Sequence, residues 1–217
     1  MAFSQESPRA KYTAYFDSIA GTGDQSVFNG LQFVDIYRSD REDFRYFKLP
    51  GYQKGDILYV GQDYYNLDMK YDLVDDQVIV MSKGELNFLD IQLIREKVEH
   101  FQIQNHNFVF YNASEVLEAG FYEEAYKDED NVLLVKYIKS PRERFKNKAV
   151  EFSFKEDISF FIIAGDTTRE IDNPRDVKRL FKDKSAILKS YASNSVEEKK
   201  NFRLYLVNVL KYLKRNK

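Results

Sequence analysis

From Leu31 onward, apolar and polar positions alternate with a period of two. Tyr65, Leu67, Met69 and Tyr71 alternate strictly with Asn66, Asp68, Lys70 and Asp72. Successive side chains of a strand point to opposite faces, so this stretch predicts a strand with one buried and one wet face. Ahead of it, Val60-Gly61-Gln62-Asp63 suits a two-residue hairpin turn with glycine where φ must be positive. Asp75-Asp76 turns the chain back into "QVIVM".

The same style continues on both sides. "LQFVDIYRS" and "FRYFKL" are strand-like, with the polar "DRED" between them as a turn. "LNFLDIQLI" leads through Arg95-Glu96-Lys97 into "VEHFQI", and Asn105-His106 forms a turn before "FVFYN". "GFYEEAY" and "NVLLVKYIK" flank the acidic turn Lys127-Asp128-Glu129-Asp130, while "VEFSF" and "ISFFIIA" flank Lys155-Glu156-Asp157. Roughly ten to twelve strands at this spacing predict a mainly antiparallel β-meander, barrel-like or two-layered. No repeat unit of fixed period is present.

At the two ends the period becomes 3.6. Tyr12, Tyr15, Phe16 and Ile19 predict a short N-terminal helix stopped near Gly21, with residues 20–30 as a loop. Asn173-Pro174 offers an N-cap followed by proline at the first helical position, and Val177, Leu180 and Phe181 give that helix its apolar face. Ile187, Leu188 and Tyr191 make a second face. Ser195-Val196-Glu197-Glu198 reads as a capping box before a stripe of Phe202, Leu206, Val209, Leu210 and Leu213. The expected fold class is therefore α+β. Residues 1–30 hold a leader remnant, short helix and loop; 31–172 form an antiparallel β domain; 173–217 form C-terminal helices packing on it.

Composition narrows the function classes. The 217 residues are 43% hydrophobic, which supports a core and opposes global disorder. With 33 basic and 35 acidic residues, the net charge of -2 gives no general attraction to nucleic acid or to an anionic membrane. The basic tail (Lys199, Lys200, Arg203, Lys211, Lys214, Arg215, Lys217) lacks a stacking motif and reads as a solvated helix face, so no nucleic-acid partner is expected. The absence of cysteine removes disulfides, thiolate metal sites and cysteine nucleophiles together. No apolar run approaches the ~20 residues of a membrane helix, so no transmembrane segment is expected. Ala2-Phe3-Ser4 before Gln5 places small residues where a signal peptidase inspects the chain, which leads to the expectation of an exported protein.

Catalytic chemistry finds little support. His100 and His106 are the only histidines, and neither has a metal-ligand spacing around it. Asp128-Glu129-Asp130-Asn131 lacks the glycine and distal glutamate of a calcium loop. Gly21-Thr22-Gly23 has no following lysine and is no phosphate loop. No G-x-S-x-G is present. Asp63, Asp68, Asp72, Asp75, Asp76, Glu151 and Asp166 are too many and too wet to single out a carboxylate pair. No catalytic residue, metal or cofactor is expected.

Aromatic residues are the remaining candidates. The chain has 16 tyrosines and 18 phenylalanines but no tryptophan. Most belong in strands and cross-strand pairs. Tyr64 has the parity opposite to Tyr65, Leu67 and Met69, which predicts an exposed ring beside a hairpin. Tyr64, Asn66, Asp68 and Lys70 are therefore the candidate partner-contact face.

The stretch "LYVGQDYYNLDMKYDLVDDQVIV", with "FQIQNHNFVFY" and "GFYEEAYKDEDNVLLVKYIK", resembles a group of uncharacterised exported β-rich proteins of Bacteroidota. Their G-Q-x-Y-Y-N-x-x-x-K-Y-D core is met by Gly61, Gln62, Tyr64, Tyr65, Asn66, Lys70, Tyr71 and Asp72. The resemblance covers about residues 31–215 and carries no catalytic residue. It implies export to the periplasm or outer-membrane periphery of a Gram-negative cell. The expected function is a non-catalytic binding or accessory protein, contacting a protein partner in an outer-membrane assembly. The alternatives are a barrel-type carrier of a small apolar ligand and a carboxylate-dependent glycoside hydrolase.

Overall fold

The computed structural model describes residues 26–28, 30–39, 42–83, 88–146, 148–191 and 200–216. The expected N-terminal helix, Ala2-Phe3-Ser4, Gly21-Thr22-Gly23 and the capping box at Ser195 lie outside the described residues, as does most of the 20–30 loop.

Eleven strands form an antiparallel sheet: β1 (Leu31–Gln32), β2 (Gln53–Tyr59), β3 (Gln62–Asp72), β4 (Gln77–Lys83), β5 (Phe88–Gln92), β6 (Val98–Ile103), β7 (His106–Tyr111), β8 (Gly120–Lys127), β9 (Asn131–Lys146), β10 (Ala149–Ala164) and β11 (Thr167–Glu170). Their order is β1-β5-β4-β3-β2-β6-β7-β8-β9-β10-β11. This is the expected meander with two departures: β1 pairs with β5 and not with the following β2, and β6 pairs with β2 and not with the preceding β5. Three described helices follow: α1 (Pro174–Leu180), α2 (Ser185–Ser190) and α3 (Phe202–Arg215). The chain forms two compact units, Met1–Asn105 with Ile138–Asp157, and His106–Tyr137 with Ile158–Lys217.

In the first unit, the β2–β3 turn falls one residue earlier than expected, at Val60-Gly61 and not Gly61-Gln62. Val60 and Gly61 both take positive φ, at 53° and 72°, and Tyr59 faces Gln62 across the ladder. The core face of β2, β3, β4 and β6 is built from Ile57, Tyr64, Met69, Tyr71, Val78, Val80 and Phe101, all buried. Tyr71 stands edge-on to Phe101 with ring centroids 5.1 Å apart, a favoured aromatic geometry.

Tyr64 corrects the sequence reading. It is 1% exposed, whereas Tyr65 and Leu67 are only half-buried. The cause is a β-bulge. Gly55 pairs with Leu67 and Ile57 with Tyr64, so one residue of β2 faces two of β3, Tyr65 and Asn66. Asn66 takes φ 56°, and its amide donates to Asp56 Oδ1 at 2.8 Å. The extra residue reverses the in/out parity of everything before it. The expected core face holds at Met69 and Tyr71 and inverts at Tyr64, while Asp72, expected on the wet face, is buried.

Other expected boundaries shift as well. "FRYFKL" is not a strand; Tyr46 makes a single bridge to Asp72. "LQFVDIYRS" forms a ladder only at β1, with one further bridge from Ser39 to Phe152. Lys155-Glu156-Asp157 makes no turn, because β10 runs straight through it. Those side chains are exposed on a ribbon, so their polarity reports solvent and not chain reversal. The turn expected at Asn105-His106 falls one residue earlier, with Gln104 at φ 54°.

In the second unit, α1 starts as expected. Asn173 Oδ1 accepts from the Arg175 amide at 2.9 Å, and Asp176 Oδ2 accepts from the Asn173 amide at 3.1 Å. These side chains satisfy amides that have no partner within the helix. α3 is capped by Asn201, whose Oδ1 accepts from the Leu204 amide at 3.0 Å. Its stripe of Leu206, Val209, Leu210 and Leu213 is fully buried against Leu133, Ile162, Ile171, Val177 and Leu188. Each such side chain contributes roughly 1.5–3 kcal/mol on burial, which is what holds a short helix in place. The opposite face of these strands carries a smaller cluster of Leu117, Tyr122, Leu134 and Phe161.

Candidate functional site

Three arrangements bring polar or exposed apolar side chains together. The first lies on the far face of β3. Asn66 is exposed there, while Asp68 and Lys70 are half-buried. Asp68 pairs with Lys54 at 2.9 Å, and the Lys70 ammonium sits 4.1 Å over the Tyr52 ring and 4.8 Å over Tyr46. Three of the four expected contact residues thus share this face, and Tyr64 is on the other.

Beyond Lys70 the same face ends in a buried ionic cluster. Arg45 pairs with Asp72 and Asp75, and lies 3.6 Å from Asp35. The Arg45 guanidinium covers the Tyr37 ring at 4.5 Å. Tyr46 donates its hydroxyl proton to Asp35 at 2.9 Å; burial first, and this carboxylate second, push the phenol well up. Burial also pushes the Asp72 carboxyl up, against the pull of Arg45. Asp76 accepts from the Tyr71 hydroxyl at 2.6 Å. Asp68, Asp72, Asp75 and Asp76, four of the acids too numerous by sequence to single out a carboxylate pair, are engaged by cations or a phenol of the first unit. The cluster ties segment 33–47 to β3.

The second arrangement was missed by sequence reasoning. Glu123, on β8 in the second unit, is 1% exposed. His106 Nδ1 lies 2.8 Å from its Oε1, and Tyr137 donates to Oε2 at 2.7 Å. Arg203 of α3 closes the set, with Nε donating to Oε2 at 3.1 Å and a second nitrogen on Oε1. Burial by itself raises the carboxyl; hydrogen bonds from His106, Arg203 and Tyr137 outweigh it and hold Glu123 at about 2. A carboxylate so saturated keeps its charge throughout the neutral range and has no proton to exchange there. Its work is to clamp α3 onto β7, β8 and β9. One sequence signal pointed to it, since Glu123 shares the parity of the core residue Phe121.

The third arrangement is an exposed apolar row in the first unit. Leu31 is 71% exposed, Val34 66% and Ile36 74%. They lie on β1 and its extension, the first strand of the sheet order, held on one side by Phe33 N donating to Asp90 O at 2.7 Å. In the second unit, an open cleft of about 360 Å³ is lined by Ser114, Glu115, Val116, Asp166, Thr167 and Thr168. Among the described residues no group of three or more acids or histidines is placed to hold a metal ion, and no described helix is long and apolar enough to cross a membrane.

Comparison with protein-family models, with curated proteins and with solved structures finds no match to this chain.

Proposed function

We propose that the chain is a non-catalytic binding or accessory protein that docks a protein partner along its β1 edge, at the periplasmic or outer-membrane periphery of a Gram-negative cell. The observation that carries the contact is the exposed group Leu31, Val34 and Ile36, on the first strand of the sheet order and the extended segment that follows it. An edge strand presents backbone donors and acceptors to a partner strand, and exposed apolar side chains beside it add area for that partner to bury. Native edges are usually blunted with charge; this edge and the segment after it carry three large exposed apolar groups. The location rests on the resemblance to exported proteins.

The test is affinity capture from native membranes with the intact chain and with a Leu31→Lys/Val34→Lys/Ile36→Lys variant of equal melting temperature. A defined partner recovered by the first and lost by the second is the expected result. A monomer that recovers nothing at low detergent, or equal recovery by both, overturns the reading. Cell fractionation checks the location separately.

A further inference from the structure

The β9–β10 hairpin carries a different surface. Its β9 side is exposed from Ser140 to Phe145. Phe145 is 79% exposed, and Val150 on the return strand is 48% exposed. β9 ends at Lys146 and β10 begins at Ala149, so the residue count sets Phe145 opposite Val150. That register also sets Ser153 opposite Arg142, in keeping with the Ser153 Oγ donating to the Arg142 carbonyl at 3.4 Å. Phe152 and Phe154 continue the face bearing Phe145 and Val150. Both are half-buried and packed edge-on by the Tyr37 ring, with centroids 4.9 and 5.7 Å away. The apolar face is therefore covered at its base and bare at its tip.

Charge is concentrated at the same place. Arg142-Glu143-Arg144-Phe145-Lys146-Asn147-Lys148 holds four basic residues and one acid, in a chain whose net charge is -2. Arg142, Arg144 and Lys148 are exposed, Arg144 lying 3.8 Å from the Asp43 carboxylate. Arg142 and Arg144 have the parity opposite to Phe145, so an end-on approach is the one that uses both faces.

We propose that this hairpin tip docks end-on to an anionic lipid surface, with Phe145 and Val150 entering the acyl boundary and Arg142, Arg144 and Lys148 reaching the headgroup phosphates. Apolar insertion combined with basic side chains is the pairing that holds peripheral proteins to anionic bilayers. Long basic side chains extend along the interface from either face of the ribbon. A nucleic acid fits less well, because Val150 gains nothing from stacking on a base, whereas it partitions into hydrocarbon as Phe145 does. The inference stands apart from the β1 edge, so either can fail alone.

The test uses the full chain with vesicles of phosphatidylcholine alone or containing phosphatidylglycerol. Binding to the anionic vesicles, weakening with salt, and little binding to the neutral ones are expected. Phe145→Asp and Arg142→Glu/Lys148→Glu should each lower vesicle affinity about tenfold or more while leaving the melting temperature unchanged. Phe145→Trp introduces the single tryptophan of the chain. Its emission should shift to the blue on anionic vesicles and be quenched by brominated acyl chains. No binding to anionic vesicles, an unshifted tryptophan, or binding indifferent to both tip variants overturns the proposal. So does a single-stranded nucleic acid that binds more tightly than the vesicles.

Discussion

Tyr64 shows how much a single residue's environment depends on its neighbours' backbone. Its ring is enclosed by the face that includes Ile57 and Phe101, and nothing in its own identity or parity says so. Truncating a buried aromatic removes transfer energy and leaves a cavity. Tyr64→Ala should therefore cost about 3 kcal/mol in chemical denaturation, with the slope of the transition unchanged. An exposed ring would cost a few tenths, so the measurement separates the two placements. Arg45 poses the same question for charge. Removing it strands Asp72 without its cation in a buried site, which makes the cluster an anchor by necessity of pairing and not by net gain.

At the scale of elements, turns and bulges decide the sheet's faces. A turn through Gly61 was legible, one residue from where it falls, because glycine after a strand-like run is a strong hairpin signal. The residue before it is less well suited: Val60 is β-branched and holds φ at 53°, where such side chains crowd the backbone. Val60→Asn places a residue that tolerates this conformation, and should raise stability by about 1 kcal/mol, read as a higher denaturation midpoint. The bulge at Tyr65-Asn66 was not legible. Its determinants are an amide-to-carboxylate bond between Asn66 and Asp56, ten positions apart, and the close approach of strands at Gly55. A Cβ at Gly55 would collide with the Gln102 carbonyl and the Met69 sulfur. The β10 strand misled for another reason. Polar side chains on a two-stranded ribbon look like a turn, because both meet water.

For the molecule as a whole, charge pairing sets the response to acid. In the second unit Glu123 binds α3 to the strands, and its carboxyl lies well below its ordinary 4.5, at about 2. A depressed folded-state value adds stability that is complete above pH 4.5 and is lost as pH falls from 4.5 toward about 2. The amount is of the order of 3 kcal/mol for this buried group. Urea denaturation followed by helical circular dichroism should show that loss. In Glu123→Gln the slope over this window should flatten, and stability at neutral pH should fall, because Arg203 is left without its anion. An unchanged slope in the variant would show that the acid response arises elsewhere.

The sequence by itself determined the α+β class, most strands, a turn through Gly61, the Asn173 cap and the buried stripe of α3. All of these follow from local periodicity and from side chains that satisfy nearby backbone groups. Only the tertiary structure decided which face Tyr64 occupies, that residues 149–164 form one strand, and that His106, Glu123, Tyr137 and Arg203 meet. Parity propagates along a strand only until a bulge interrupts it, and a salt-bridged cluster drawn from four separated elements leaves no spacing to read. The bare tip at Phe145 and Val150 belongs to the same category, since one sequence pattern serves a covered and an uncovered ribbon alike until the packing of Tyr37 tells them apart.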